Sequence, residues 1–94
     1  MWKNEITFRP SYYEWVLIIN GKVVYAFDDL AEYLADAETV SDLEGLVDGL
    51  YDTMMDDLTE CGKIVGKLYE MLEINKRRLT EIMTEQLAYH YGIG

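Results

Sequence analysis

Along this chain the apolar residues change period near residue 28. Before that point, Tyr13 to Ile19 and Lys22 to Phe27 are short apolar runs that flank Asn20-Gly21. Asn-Gly between two such runs signals a two-residue hairpin turn, because both turn positions take φ > 0 and these residues accept it. The resulting pairing sets Ile19 opposite Lys22, Leu17 opposite Val24 and Trp15 opposite Ala26 on one face. Val16, Ile18, Val23, Tyr25 and Phe27 line the other. Both faces are apolar, so each requires cover. Glu5 to Arg9, where Ile6 and Phe8 alternate with polar neighbours, supplies an edge strand that Pro10-Ser11 punctuates. Residues 1–27 thus read as an antiparallel hairpin or three-stranded meander.

From Asp29 the period becomes helical. Asp29 and Glu32 have the spacing of a capping box, and Leu30, Tyr33, Leu34 and Ala37 form the apolar stripe of a short helix over 29–37. Ser41 with Glu44 repeats the signal and opens a longer helix over 42–60, with Leu43, Leu46, Val47, Leu50, Met54 and Leu58 on its apolar side. From Val47 a 4-3 alternation continues through Tyr51, Met54, Leu58, Cys61, Val65, Leu68, Leu72, Asn75, Leu79, Ile82 and Gln86, a heptad seam with two polar members. Gly62 and Gly66 each cost about 1 kcal/mol relative to alanine inside a helix. That favours a break near Gly62 and a last helix over 63–91, closed by Gly92. The two long helices then form a hairpin packed on the sheet. An unbroken helix would instead call for a second copy along the seam. The predicted class is α+β, in a single domain over 1–94.

Charge adds a segregation that the apolar pattern does not show. The net charge is −10, yet residues 1–27 and 61–94 each sum to +1. Asp28 to Glu60 hold twelve acids and no Lys or Arg, a block of −12. Nucleic acid and anionic membrane would be repelled by it. Cys61 is the only cysteine, which excludes a disulfide scaffold and fits a reducing compartment. No apolar run resembles a signal peptide or a membrane span, so the expected location is cytoplasmic.

The parts of an active site are sparse. His90, between two tyrosines near the C-terminus, has no recognisable catalytic partner, and Cys61 occupies a seam position where cysteine behaves as a small hydrophobe. There is no phosphate-binding glycine loop, no zinc constellation and no EF-hand. The expectation is a non-enzymatic protein with no cofactor and no metal. What the chain does carry is an acidic ladder. Glu44, Asp48, Asp52 and Asp56 recur every fourth residue, and Asp57 and Glu60 extend the patch. Like charges at i,i+4 destabilise an isolated helix by about 0.2–0.5 kcal/mol per pair. Capping explains Asp28, Asp29 and Asp42, but not a ladder that runs into the C-terminal half of its helix, where the dipole disfavours anions. Lys76-Arg77-Arg78 is a short basic run suited to pairing with Glu73, Glu81 or the acidic helix. Trp15, Tyr25, Tyr33, Tyr51 and Tyr69 are assigned to the core, and Tyr89-His90-Tyr91 to the surface.

In size, segregated charge and lack of an active site, the chain resembles by type the small acidic inhibitors encoded by bacteriophages and mobile elements, the anti-CRISPR proteins and antirestriction DNA mimics. No stretch aligns to one family motif, so no residue role is carried over. The resemblance implies an inhibitor in the host cytoplasm whose acidic helix occupies the basic nucleic-acid-binding surface of a target, a CRISPR-Cas effector being the leading case. The alternative is a homodimeric helical module, an adaptor, antitoxin or transcription-regulator subunit, that acts through its heptad seam with Asn75 setting register.

Overall fold

The computed structural model describes residues 4–12, 14–60, 62 and 66–94, beginning with an antiparallel sheet whose central hairpin is the predicted one. Strands β1 (Ile6–Ser11), β2 (Glu14–Ile19) and β3 (Lys22–Asp28) lie in the order β1-β2-β3. Asn20 and Gly21 take φ of 53° and 80°, as the turn between β2 and β3 requires. Asn20 also ties the turn to the start of the first strand. The Glu5 amide donates to its Oδ1 (2.9 Å), its Nδ2 donates to Asn4 Oδ1 (2.7 Å), and its own amide donates to the Glu5 carbonyl (2.8 Å).

The register departs from the uniform hairpin beyond Ile18. Ile19 faces Lys22 and Ile18 faces Val23, but a bulge then pairs Leu17 with Tyr25 and Trp15 with Phe27. The expected partners of Leu17 and Trp15, Val24 and Ala26, are therefore corrected. Val24 is the extra residue, and one inserted residue turns every later side chain to the opposite face. The bulge gathers the aromatic residues. Phe8 stacks on Trp15 at 4.9 Å between ring centroids, Phe27 meets Phe8 edge-on at 5.9 Å, and Tyr25 meets Phe27 at 4.9 Å. Such pairs contribute about 0.5–1.5 kcal/mol each beyond their burial, and the regular register forgoes the Phe8–Phe27 pair, because it turns Phe27 to the other face. Pro10-Ser11 do not end β1 either, since Pro10 pairs with Trp15 and Ser11 with Glu14. An edge strand tolerates proline because its missing N–H can fall on the unpaired side.

Helix α1 (Leu30–Tyr33) is shorter than the predicted 29–37, and its start is not a capping box. Asp29 is left-handed (φ 55°, ψ 34°) and makes no side-chain cap hydrogen bond. A capping side chain reaches the first-turn amides only from a non-helical, extended backbone. Leu30 and Leu34 are buried.

The chain gathers into two compact units, Met1–Ala37 and Glu38–Gly94. In the second lie α2 (Val40–Glu60), α3 (Gly66–Ile74) and α4 (Lys76–Tyr91). The break near Gly62 is present, with φ of 65°. Gly92 closes α4 as expected, with φ of 68° and the Ile93 amide donating to the Ala88 carbonyl at 2.9 Å. The last helix is not continuous, however. Asn75 leaves helical geometry (φ −102°, ψ 18°), and its side-chain Nδ2 donates to the Met71 carbonyl at 2.9 Å. The seam position expected to set register is thus a joint between two helices.

That joint changes which residues are buried. Val47, Tyr51, Met54, Leu58, Leu72 and Leu79 are buried as the heptad predicts. Beyond the joint, burial proceeds in steps of four through Met83 and Leu87, while Ile82 is half-buried and Gln86 is exposed. Leu68 is half-buried, and Cys61, Lys63 and Val65 lie outside the described residues. Helix α2 packs on α4, antiparallel, with Asp48 and Asp52 reaching back to Lys76. The Tyr51 hydroxyl donates to the Leu72 carbonyl, and burial, with Glu73 and Asp52 nearby, holds its pKa well above the ordinary phenol value.

Two substitutions test this arrangement. Gly21→Val places a β-branched residue at φ 80° and is expected to cost more than about 1 kcal/mol in chemical denaturation. Leu72→Ala, at a fully buried position, is expected to cost about 2–5 kcal/mol, and a loss of a few tenths would remove Leu72 from the core.

Candidate functional site

The acidic helix begins with a capping box two residues earlier than Ser41-Glu44. The Asp42 amide donates to Thr39 Oγ1 at 3.1 Å, and Asp42 Oδ2 accepts from the Thr39 and Glu38 amides at 3.2 Å each. Threonine at the cap with an acid three residues on is the same reciprocal device in different residues. These amide donors hold the Asp42 carboxyl below its ordinary value.

From that start α2 runs 21 residues with seven acids (Asp42, Glu44, Asp48, Asp52, Asp56, Asp57 and Glu60) and no Lys or Arg. Its buried residues, Leu43, Val47, Leu50, Tyr51, Met54 and Leu58, occupy one side. Glu44, Asp48, Asp52, Asp56, Asp57 and Glu60 are all exposed. The predicted ladder therefore stands on the outer side of one helix, at about 6 Å per step along its axis.

The ladder carries a cation from the basic run expected to pair with the acidic helix. Lys76, at the first position of α4, places Nζ 3.1 Å from Asp48 Oδ1 and 3.2 Å from Asp52 Oδ1. It also lies 5.9 Å from the centroid of the Tyr51 ring. The hydrogen bonds it donates to Asp48 and then Asp52 raise its pKa. The Asp48 and Asp52 side chains remain 58% and 64% exposed, so these are surface ion pairs worth at most about 1 kcal/mol each. Arg77 pairs instead with Glu81 within α4 at 3.4 Å.

Helix α4 adds acids of its own. Glu44, Asp48, Glu81 and Glu85 line a groove of about 600 Å³ together with Gly45 and Thr84. A second depression lies beside Tyr51, Asp52, Asp56, Tyr69 and Glu73, with Lys76 at its edge. There a hydrogen bond with the Glu73 carboxylate raises the Tyr69 pKa. Sequence reasoning missed Glu81, Glu85 and Thr84, because only the α2–α4 pairing brings them to the ladder, and it also missed Gly45 on α2 itself. Tyr33 and Tyr69, assigned to the core, are exposed, while Trp15 and Tyr51 are buried. A tyrosine can cover apolar surface with its ring while its hydroxyl keeps a polar partner or water, so helical spacing alone does not assign it to the core. Tyr89, His90 and Tyr91 are exposed, the His90 and Tyr91 rings meeting edge-on at 5.0 Å.

Among the described residues, no three His, Cys, Asp or Glu side chains converge as metal ligands, and no helix is long and apolar enough to cross a membrane. Comparison with protein-family models, with curated protein sequences and with solved structures yields no match.

The capping box has a definite pH signature. Since the folded Asp42 pKa lies below its unfolded value, its contribution is complete above the unfolded carboxylate pKa and is lost as pH falls through the folded one. Urea midpoints of the native chain and Asp42→Asn should differ at pH 7 in favour of the native chain and converge by about pH 2. A gap independent of pH would sever the link to that charge.

Proposed function

We propose that the protein is a non-enzymatic inhibitor that binds the basic nucleic-acid-binding surface of a target protein through α2, in the manner of an anti-CRISPR DNA mimic acting in the host cytoplasm. The observation that carries this reading is the exposed row Glu44, Asp48, Asp52 and Asp56 on one face of an uninterrupted helix. Rigidity matters because a row of charges at fixed spacing can meet a groove lined with arginine and lysine as a phosphate backbone does. Phosphates along one DNA strand rise about 3.4 Å each while also travelling around the axis. Such a complex draws its specificity and speed of association from charge complementarity. The seam favours the alternative less, since Val47, Tyr51, Met54 and Leu58 are already buried within the chain.

The test removes charge while keeping shape. The variant Glu44→Gln, Asp48→Asn, Asp52→Asn and Asp56→Asn should retain the helical signal and unfold at the same temperature or slightly higher, because mutually repelling charges are gone. Its affinity for a partner captured from host lysate at low salt should fall by orders of magnitude, with a much shallower salt dependence. DNA or guide RNA should compete with the native protein for that partner. Equal affinity of variant and native chain would falsify the mimic reading.

A further inference from the structure

The groove between α2 and α4 holds an anomaly that the ladder does not explain. Thr53, Thr59 and Thr80 each donate their hydroxyl to the carbonyl four residues back, Gly49 (3.0 Å), Met55 (2.7 Å) and Lys76 (2.9 Å). This is the ordinary refuge of a helical threonine. Thr84, in the same helix as Thr80, has no such bond although it is only 7% exposed and lines the groove. Among the described residues no side-chain oxygen sealed from solvent lacks a partner. The Thr84 hydroxyl therefore meets solvent, and the groove is the open space that Thr84 lines. A valine of the same shape would fill the site without a polar group to satisfy.

Gly45, on the facing helix, is a second anomaly. Glycine inside a helix costs about 0.5–1 kcal/mol relative to alanine. Its backbone is helical, and a Cβ built there meets nothing within 4 Å. No close contact or unusual turn within the chain requires it. What its missing side chain preserves is open space in the groove.

We infer that this groove seats an arginine side chain of the partner, with the Glu44, Asp48, Glu81 and Glu85 carboxylates around the guanidinium and the Thr84 hydroxyl among its acceptors. The inference rests on the reading that the partner presents a basic surface, and it names one residue type and one seat. Four carboxylates from two helices line an open space of about 600 Å³, within the range of about 300–1,000 Å³ typical of ligand-holding clefts. A planar guanidinium carries five donors in fixed directions and satisfies several acceptors at once, whereas an ammonium acts as a compact, strongly hydrated charge. The acceptors here are dispersed over both walls, which suits the fork. Lys76, bridging Asp48 and Asp52 at one end, already places a cation between the same two helices. The Arg77–Glu81 pair is solvent-exposed, so it is readily exchanged.

The test uses the full chain and a tetra-arginine peptide at low salt, followed by amide NMR shifts and calorimetry, with tetra-lysine as the control. Saturable shifts should centre on Gly45, Asp48 and Thr84, and tetra-arginine should bind more tightly than tetra-lysine. Thr84→Val, which deletes one hydrogen bond to a charged group, should weaken tetra-arginine about tenfold. Gly45→Leu should block the seat while leaving thermal stability equal or higher. Glu85→Gln, at an exposed position, gives the same readout without touching the core. The inference is overturned if these variants bind tetra-arginine within about twofold of the native chain, or if tetra-lysine binds equally well. If the quadruple ladder variant keeps its captured partner while the native groove still seats tetra-arginine, the inhibitor reading fails and the seat stands. If the ladder variant loses its partner while groove variants bind the peptide normally, the seat fails and the inhibitor reading stands.

Discussion

Helix α2 can bury only one side, and much of the second unit follows from which side that is. Leu43, Val47, Leu50, Tyr51, Met54 and Leu58 share the inner stripe. At 3.6 residues per turn, a position one residue beyond an inner one is rotated about 100° away. Glu44, Asp48 and Asp52 each follow an inner residue directly, and their shared side is settled by the apolar stripe without any electrostatic design. The stripe needs an antiparallel partner, which α4 supplies with Leu79, Met83 and Leu87. Burying these apolar faces at about 25 cal/mol per Å² outweighs a few tenths of a kcal/mol per like-charge pair on the outside. The ladder is tolerated because it stands on a helix held by its other face.

The joint at Asn75 completes this arrangement. A continuous last helix would have carried the heptad through Ile82 and Gln86, whereas the joint turns α4 so that Leu79, Met83 and Leu87 face inward. It also makes Lys76 the first residue of a helix. A cation at a helix N-terminus opposes the dipole, so this site is poor for lysine unless nearby anions offset it. Asp48 and Asp52 do so, at 3.1 and 3.2 Å.

What was legible in the chain was whatever depends on neighbouring residues. The Asn20-Gly21 turn, the meander, the break at Gly62, the closure at Gly92 and the inner stripe of α2 all rest on local period or on φ > 0 at one or two positions. What was not legible depends on contacts between distant segments. The bulge at Val24 is favoured by the meeting of Phe27 with Phe8, which come from the two outer strands of the sheet. The two capping boxes misjudged from spacing show a subtler limit. Asp29-x-x-Glu32 and Ser41-x-x-Glu44 have the right letters, yet Asp29 is left-handed and Ser41 already lies inside a helix that Thr39 and Asp42 open. In the ladder, the positions of Glu44 to Asp56 were readable from their period. Lys76, Glu81, Glu85 and Thr84 belong to the same surface only through the α2–α4 pairing.

Leaving most of the carboxylates exposed has a consequence for how the proposed partner would be met. An exposed anion keeps its hydration, so displaying it costs the free protein little, and the desolvation cost falls at the moment of binding. A flat acidic face therefore favours rapid, salt-sensitive encounter more than tight holding. A groove differs from a flat face because its two walls leave little of a residue such as Thr84 exposed, while the hydroxyl still reaches solvent. A cation entering there exchanges some water for several fixed acceptors, and fixed acceptors strengthen each hydrogen bond in a less polar surrounding. On the reading proposed above, the outer ladder would serve approach and orientation, and the groove beside Gly45 retention. Lys76 holds two rungs together between them, lowering the repulsion at the centre of the row while the carboxylates at either end stay open to solvent.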